Sequence, residues 1–71
     1  MKFPNKVNRY KTTVIYHMAE ILNAINNDMF PTEIYIKVSS KMNAKEFLDG
    51  MSALFAIQKV ELLKDGRIRK C

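Results

Sequence analysis

The chain has 71 residues, 48% of them hydrophobic and 27% charged, with a formal net charge of +5, which predicts one small folded domain and excludes a disordered polyelectrolyte. Its one cysteine, Cys71, excludes an internal disulfide and points to a reducing compartment. No window approaches the ~20 apolar residues of a membrane span, and Met1-Lys2-Phe3-Pro4 does not lead into a signal-peptide core, so a cytoplasmic location is expected.

Residues 1–9 hold Pro4, Asn5 and Asn8 without apolar periodicity and read as a basic N-terminal arm, with residues 10–71 as the folded domain. From Tyr10 to Asn27 the apolar residues Val14, Met18, Ile21, Leu22 and Ile25 keep helical spacing, which predicts an amphipathic helix that stops at Asn26-Asn27-Asp28. Pro31 suits the first position of a second helix, followed by Glu33 near its positive end and by Ile34, Tyr35, Val38 and Met42 as its apolar side. The β-branched Ile34, Ile36 and Val38 would also fit a strand; helix is the reading adopted.

The third helix has the strongest start signal, because Asn43 can cap the free amides, Glu46 can reach back to it, and Met42 can staple onto Phe47. Phe47, Leu48, Met51, Leu54 and Phe55 are its expected core stripe, and Gly50 is read as a close approach of another backbone. Val60–Lys64 and Arg67–Cys71 flank Asp65-Gly66, a hairpin signal. A two-residue turn there would set Leu62 opposite Arg69, Lys64 opposite Arg67 and Leu63 opposite Ile68. The expected fold is α+β and mostly helical: a winged-helix-like three-helix domain with a C-terminal β-hairpin.

Catalytic chemistry has little to work with. His17 lies mid-helix and reads as a partly exposed residue with no nucleophile signalled beside it. Cys71 and His17 fall short of a zinc ligand set, and Gly50 and Gly66 cannot write a phosphate-binding loop. The seven carboxylates are dispersed over expected exposed faces and turns. A non-enzymatic protein without metal or cofactor is therefore expected.

Two binding roles remain. A DNA reader would carry cations on its third helix, yet the positions outside its expected core offer one cation, Lys45, against the carboxylates Glu46 and Asp49 and mostly small groups such as Ser52 and Ala53, which suit protein contact instead. Lys64, Arg67, Arg69 and Lys70 could still touch phosphates without reading sequence, or could be a solvated edge that discourages strand-to-strand aggregation. At the other end Lys2, Phe3, Pro4, Lys6 and Arg9 form a basic arm with an apolar anchor, suited to ordering on a partner.

Phe3-Pro4-Asn5-Lys6, Met29-Phe30-Pro31-Thr32-Glu33-Ile34-Tyr35 and Ala53-Leu54-Phe55-Ala56-Ile57-Gln58-Lys59-Val60-Glu61-Leu62 together resemble the small middle components of ABC three-component systems. Phe30 stands where that family commonly has a Ser or Thr cap, and Gln58 where a Gly or Asn often ends the helix. The resemblance implies a bacterial anti-phage or anti-plasmid defence complex of Lamassu type, in which this chain is an adaptor between an SMC-like or ABC-type ATPase and an effector. It implies no catalytic residues, and any contact with DNA would be indirect. The alternative is a small winged-helix DNA-binding regulator with its basic hairpin on phosphates.

Overall fold

A computed structural model describes the chain from Pro4 to Cys71, with side chains described from Thr13 onward. Three helices precede one antiparallel hairpin: α1 (Pro4–Ala24), α2 (Pro31–Val38), α3 (Ala44–Ala56), β1 (Val60–Leu62) and β2 (Ile68–Lys70). The α+β, mostly helical class expected from the sequence is the class observed. Helix α1 begins at Pro4 rather than Tyr10, since proline is at home in a first helical turn. The backbone of residues 4–9, read as an arm, is thus helical, and α1 closes at Ala24 instead of Asn27.

Helix α2 forms despite its β-branched residues because Pro31 presets its first turn and Glu33 Oε1 accepts the Phe30 N–H at 2.8 Å. Helix α3 starts as the sequence predicts. The Asn43 side chain accepts the Glu46 N–H at 2.8 Å, while Glu46 Oε1 accepts the Asn43 N–H at 2.8 Å. Met42 and Phe47, the expected staple, are both buried.

The core consists of Ile21, Ile25, Met29, Ile34, Val38, Met42, Phe47, Met51, Leu54, Val60 and Ile68. Its centre is the crossing of α1 and α3 at Gly50. A Cβ placed there would lie 2.8 Å from Ile21 Cδ1 and 3.6 Å from His17 Cβ. Gly50 therefore does mark a close approach, and His17, expected to be partly exposed, is buried beneath it. With Phe47, Gly50, Met51 and Leu54 turned inward, Leu48 and Phe55 face outward, contrary to the expected core stripe. The missing side chain lets α3 approach by its glycine, which rotates those two residues off the seam.

The hairpin register also differs from expectation. Val60 pairs with Lys70, Glu61 with Arg69 and Leu62 with Ile68. Gly66 N–H donates to Leu63 C=O at 3.0 Å and Leu63 N–H to Arg67 C=O at 2.8 Å, so the loop has one more residue than the two-residue turn. A two-residue type I′ turn needs positive φ at both central positions. Gly66 has φ 95 but Asp65 does not, and a three-residue loop with a glycine bulge results. The shift replaces the expected Lys64–Arg67 repulsion with a Glu61–Arg69 ion pair at 3.5 Å.

On its other side β2 touches the link between α1 and α2. Met29 N–H donates to Ile68 C=O at 3.1 Å, and Ile68 N–H donates to Met29 C=O at 2.6 Å. The last carbonyls of α1 receive ammonium groups from elsewhere, Lys70 Nζ on Leu22 O at 3.2 Å and Lys37 Nζ on Ala24 O at 3.1 Å. Gln58, where the family resemblance implied a Gly or Asn, takes φ 62 in the turn after α3.

Two substitutions test this account. Gly50→Leu should destabilise the fold by about 1–3 kcal/mol or more through overpacking against Ile21, measured by urea unfolding; an unchanged midpoint would show that the crossing does not need a glycine. Gln58→Gly should add about 0.5–1 kcal/mol, because left-handed backbone costs other residues about 1–2 kcal/mol and glycine's extra chain entropy takes back only part of that.

Candidate functional site: an apolar groove between α2 and α3

Helices α2 and α3 begin beside one another, each fixed by its own cap, and between their first turns lies a groove of about 450 Å³. Pro31, Thr32, Tyr35 and Ile36 form one wall, and Ala44, Phe47 and Leu48 the other. The geometry follows from helix periodicity. Ile34 and Val38, four residues apart, point into the core, which leaves Ile36 on the outer face. Phe47 is buried against the domain and Leu48, one residue on, stands outside it.

Ile36 is 71% and Leu48 62% exposed. The floor is aromatic: Tyr35 and Phe47 meet with ring centroids 5.2 Å apart at 59°. No carboxylate, amine, imidazole or thiol lines the groove. It can bury apolar surface and position an aromatic or aliphatic side chain. Among the described residues, no three His, Cys, Asp or Glu side chains converge on a point that could hold a metal ion, and no helix is long and apolar enough to cross a membrane.

The family model described as ABC-three component (ABC-3C) system Middle Component 7 matches residues 3–69, nearly the whole chain. The chain belongs to this family. No curated protein and no solved structure matches it. Membership supports the resemblance read from the sequence at the level of a middle component in a multi-component system.

The residues of this middle component singled out from sequence lie elsewhere. Pro4 opens α1, whereas Lys2 and Phe3, and the side chains of Lys6 and Arg9, fall outside the described residues. The hairpin cations are mostly engaged. Arg67 Nε donates to Asp65 Oδ2 at 2.6 Å. Arg69 reaches Asp28 at 3.4 Å and Glu61 at 3.5 Å, and its hydrogen bond to Asp28 is the main reason its pKa is raised. Lys70 caps α1. Lys64 is exposed and has no ion pair. The structure thus brings these four together on one hairpin, with two of them facing carboxylates.

Sequence reading missed the groove because Leu48 was counted as core and Ile36 was treated as part of a β-branched run. The available signal was Ile36 itself, two positions from both Ile34 and Val38 and so opposite them on a helix.

Asp65 yields a pH prediction. The Arg67 backbone N–H, then the Arg67 side chain, hold its carboxyl below the ordinary aspartate value of 3.8. A depressed folded pKa contributes stability that is present above the unfolded value and lost as pH falls through the folded one. Carbon NMR should therefore place the Asp65 midpoint below 3.8, with the Arg67 amide following the same titration. A midpoint at or above that value would mean that the turn bonds do not persist in solution.

Proposed function

We propose that this middle component is a non-catalytic, cytoplasmic adaptor that binds the SMC- or ABC-type ATPase of its system and couples it to an effector, in a Lamassu-like anti-phage or anti-plasmid complex. The observation that carries this reading is the apolar α2–α3 groove, free of carboxylates and amines, on a chain of a family described as a middle component of a three-component system. A domain this small has a limited core, and docking onto a large subunit would add buried apolar area through Ile36 and Leu48. The order of three helices and a terminal hairpin, with Met29 bridged to β2 as a minimal further strand, suits a winged-helix-like scaffold used for protein contact.

The N-terminal residues Lys2, Phe3, Pro4, Lys6 and Arg9 supply a second proposed contact with the ATPase. The competing role, a DNA-binding regulator with Lys64, Arg67, Arg69 and Lys70 on phosphates, is weakened by the carboxylates already facing Arg67 and Arg69.

The test is co-expression with the neighbouring genes of the system and capture through a tag on this chain. The ATPase should co-purify with the wild type and bind the Ile36→Asp, Leu48→Asp double variant at least about 10-fold more weakly, as expected for loss of apolar anchors. Both positions are exposed, so the unfolding midpoint should move little. Absence of the ATPase from the wild-type eluate would end the adaptor reading, and capture undiminished by the double variant would move the contact off the groove.

A further inference from the structure

Helix α1 is longer than the core it serves. The contacts that tie it to the rest of the domain fall from His17 onward: Gly50 of α3 lies against His17 and Ile21, Lys41 pairs with Glu20 at 3.3 Å, and Lys70 and Lys37 donate to Leu22 O and Ala24 O. The helix itself begins at Pro4, so roughly 20 Å of helical backbone, at about 1.5 Å per residue, precedes the first of these contacts. At the end of that stretch Val14 is half-buried, while Ile15 and Tyr16 are exposed.

The inward face of α1 is set by Ile21, which is buried, and by Met18, which packs against the core. Counting back from Ile21 by three or four residues at a time gives Met18, Val14, Tyr10 and Val7, so the register that builds the core continues along the whole helix. Val7 is the one aliphatic residue among residues 5–9, and it joins this row only because α1 starts as early as Pro4. Lys6 and Lys11 take the register positions on either side of the row. Charge along this stretch has one sign: residues 1–19 hold Lys2, Lys6, Arg9 and Lys11 and no carboxylate. The first carboxylate of the chain, Glu20, is already held by Lys41.

We propose that the N-terminal half of α1 packs against an acidic amphipathic helix of a partner protein, whose apolar row meets that of Val7, Tyr10 and Val14 and whose carboxylates answer Lys6 and Lys11. Charge complementarity selects this occupant. A second copy of α1 would set cations against cations with no carboxylate on either helix ahead of Glu20, and like charges across an interface work against the wrong partner. A nucleic acid would neutralise the lysines but bury none of the apolar row. This inference names the chemistry of the N-terminal contact proposed above and rests on that reading. Capture of the ATPase tests the adaptor role and peptide binding tests this contact, so the two failures are told apart.

The test uses the full chain and an acetylated, amidated peptide of three Glu-Leu-Ala-Ala-Leu-Glu-Glu repeats, followed by amide NMR of the chain and far-UV circular dichroism. The expected result is saturable binding with shifts at the α1 amides ahead of His17, a gain in helical signal, and no binding of the same peptide with lysine for every glutamate. Val7→Ser combined with Tyr10→Ser keeps the charge and should weaken the acidic peptide about 10-fold or more. Lys6→Gln combined with Lys11→Gln keeps the apolar row and should weaken it by about 3- to 10-fold. In both variants the amide spectrum beyond Ile21 should stay as in the wild type, which separates a lost contact from a lost fold. No binding of the acidic peptide, equal binding of both peptides, or an affinity untouched by the serine pair would each overturn the proposal. So would self-association through α1 without peptide, which would make a second copy the occupant, or tighter binding of a DNA duplex that the serine pair leaves unchanged.

Discussion

The contact on which the rest of the domain depends is the crossing of α1 and α3 at Gly50. A glycine removes the one side chain that would hold the helices apart, so Ile21 and the backbone of His17 come against α3 itself. Close approach decides which face of α3 is inside. With Gly50 on the seam, Phe47, Met51 and Leu54 share it, and Leu48 is carried to the outside. The groove beside α2 is thus a consequence of the helix crossing: the rotation that completes the core exposes Leu48 next to Ile36. Packing and the candidate site are two results of one steric fact.

The second constraint is closure of the short hairpin. Two strands alone have marginal stability in water, and here β1 and β2 are tied to the helices at several independent points. Val60 and Ile68 enter the core, Met29 adds two backbone bonds on the far side of β2, and Lys70 reaches the last carbonyls of α1. Arg69 lies between Asp28, from the link after α1, and Glu61 on β1. Each surface ion pair contributes little by itself. Their common effect is to hold the register that the three-residue loop sets, because a slip by one residue would separate Glu61 from Arg69 and turn Val60 and Ile68 out of the core.

Much of this was legible in the sequence where local chemistry decides structure. Asn43 with Glu46, Pro31, and the Asp-Gly pair each fix a short stretch of backbone whatever surrounds them, and each marks an element boundary or turn that the structure contains. What was not legible depended on tertiary choices. Leu48 and Phe55 have the spacing of core residues, and only the Gly50 crossing turns them outward. His17 looked exposed because a histidine in a polar-rich helix carries no sign of its burial beneath a glycine two elements away. Asp-Gly signalled a hairpin without distinguishing a two-residue loop from a three-residue one, and that distinction hangs on the sign of φ at Asp65. The start of α1 at Pro4 was hidden because residues 4–9 lack the apolar repeat by which a helix is recognised.

The carboxylates bring the charge pattern and the candidate groove into one account. All seven are engaged: Glu33 and Glu46 close helix starts, Asp65 closes the hairpin turn, and Glu20, Asp28, Asp49 and Glu61 face lysines or arginines. The net charge of +5 is therefore not spread evenly over the surface. Arg67 and Arg69, the two guanidiniums of the hairpin, are among the cations that carboxylates already hold, while Lys59 and Lys64 on either side of β1 are not. The α2–α3 groove carries no carboxylate, amine or guanidinium. The carboxylates thus hold helix starts, turn and hairpin in place and leave the groove between α2 and α3 to apolar side chains, so the charged and the apolar parts of the surface are separated by the same packing that builds the core.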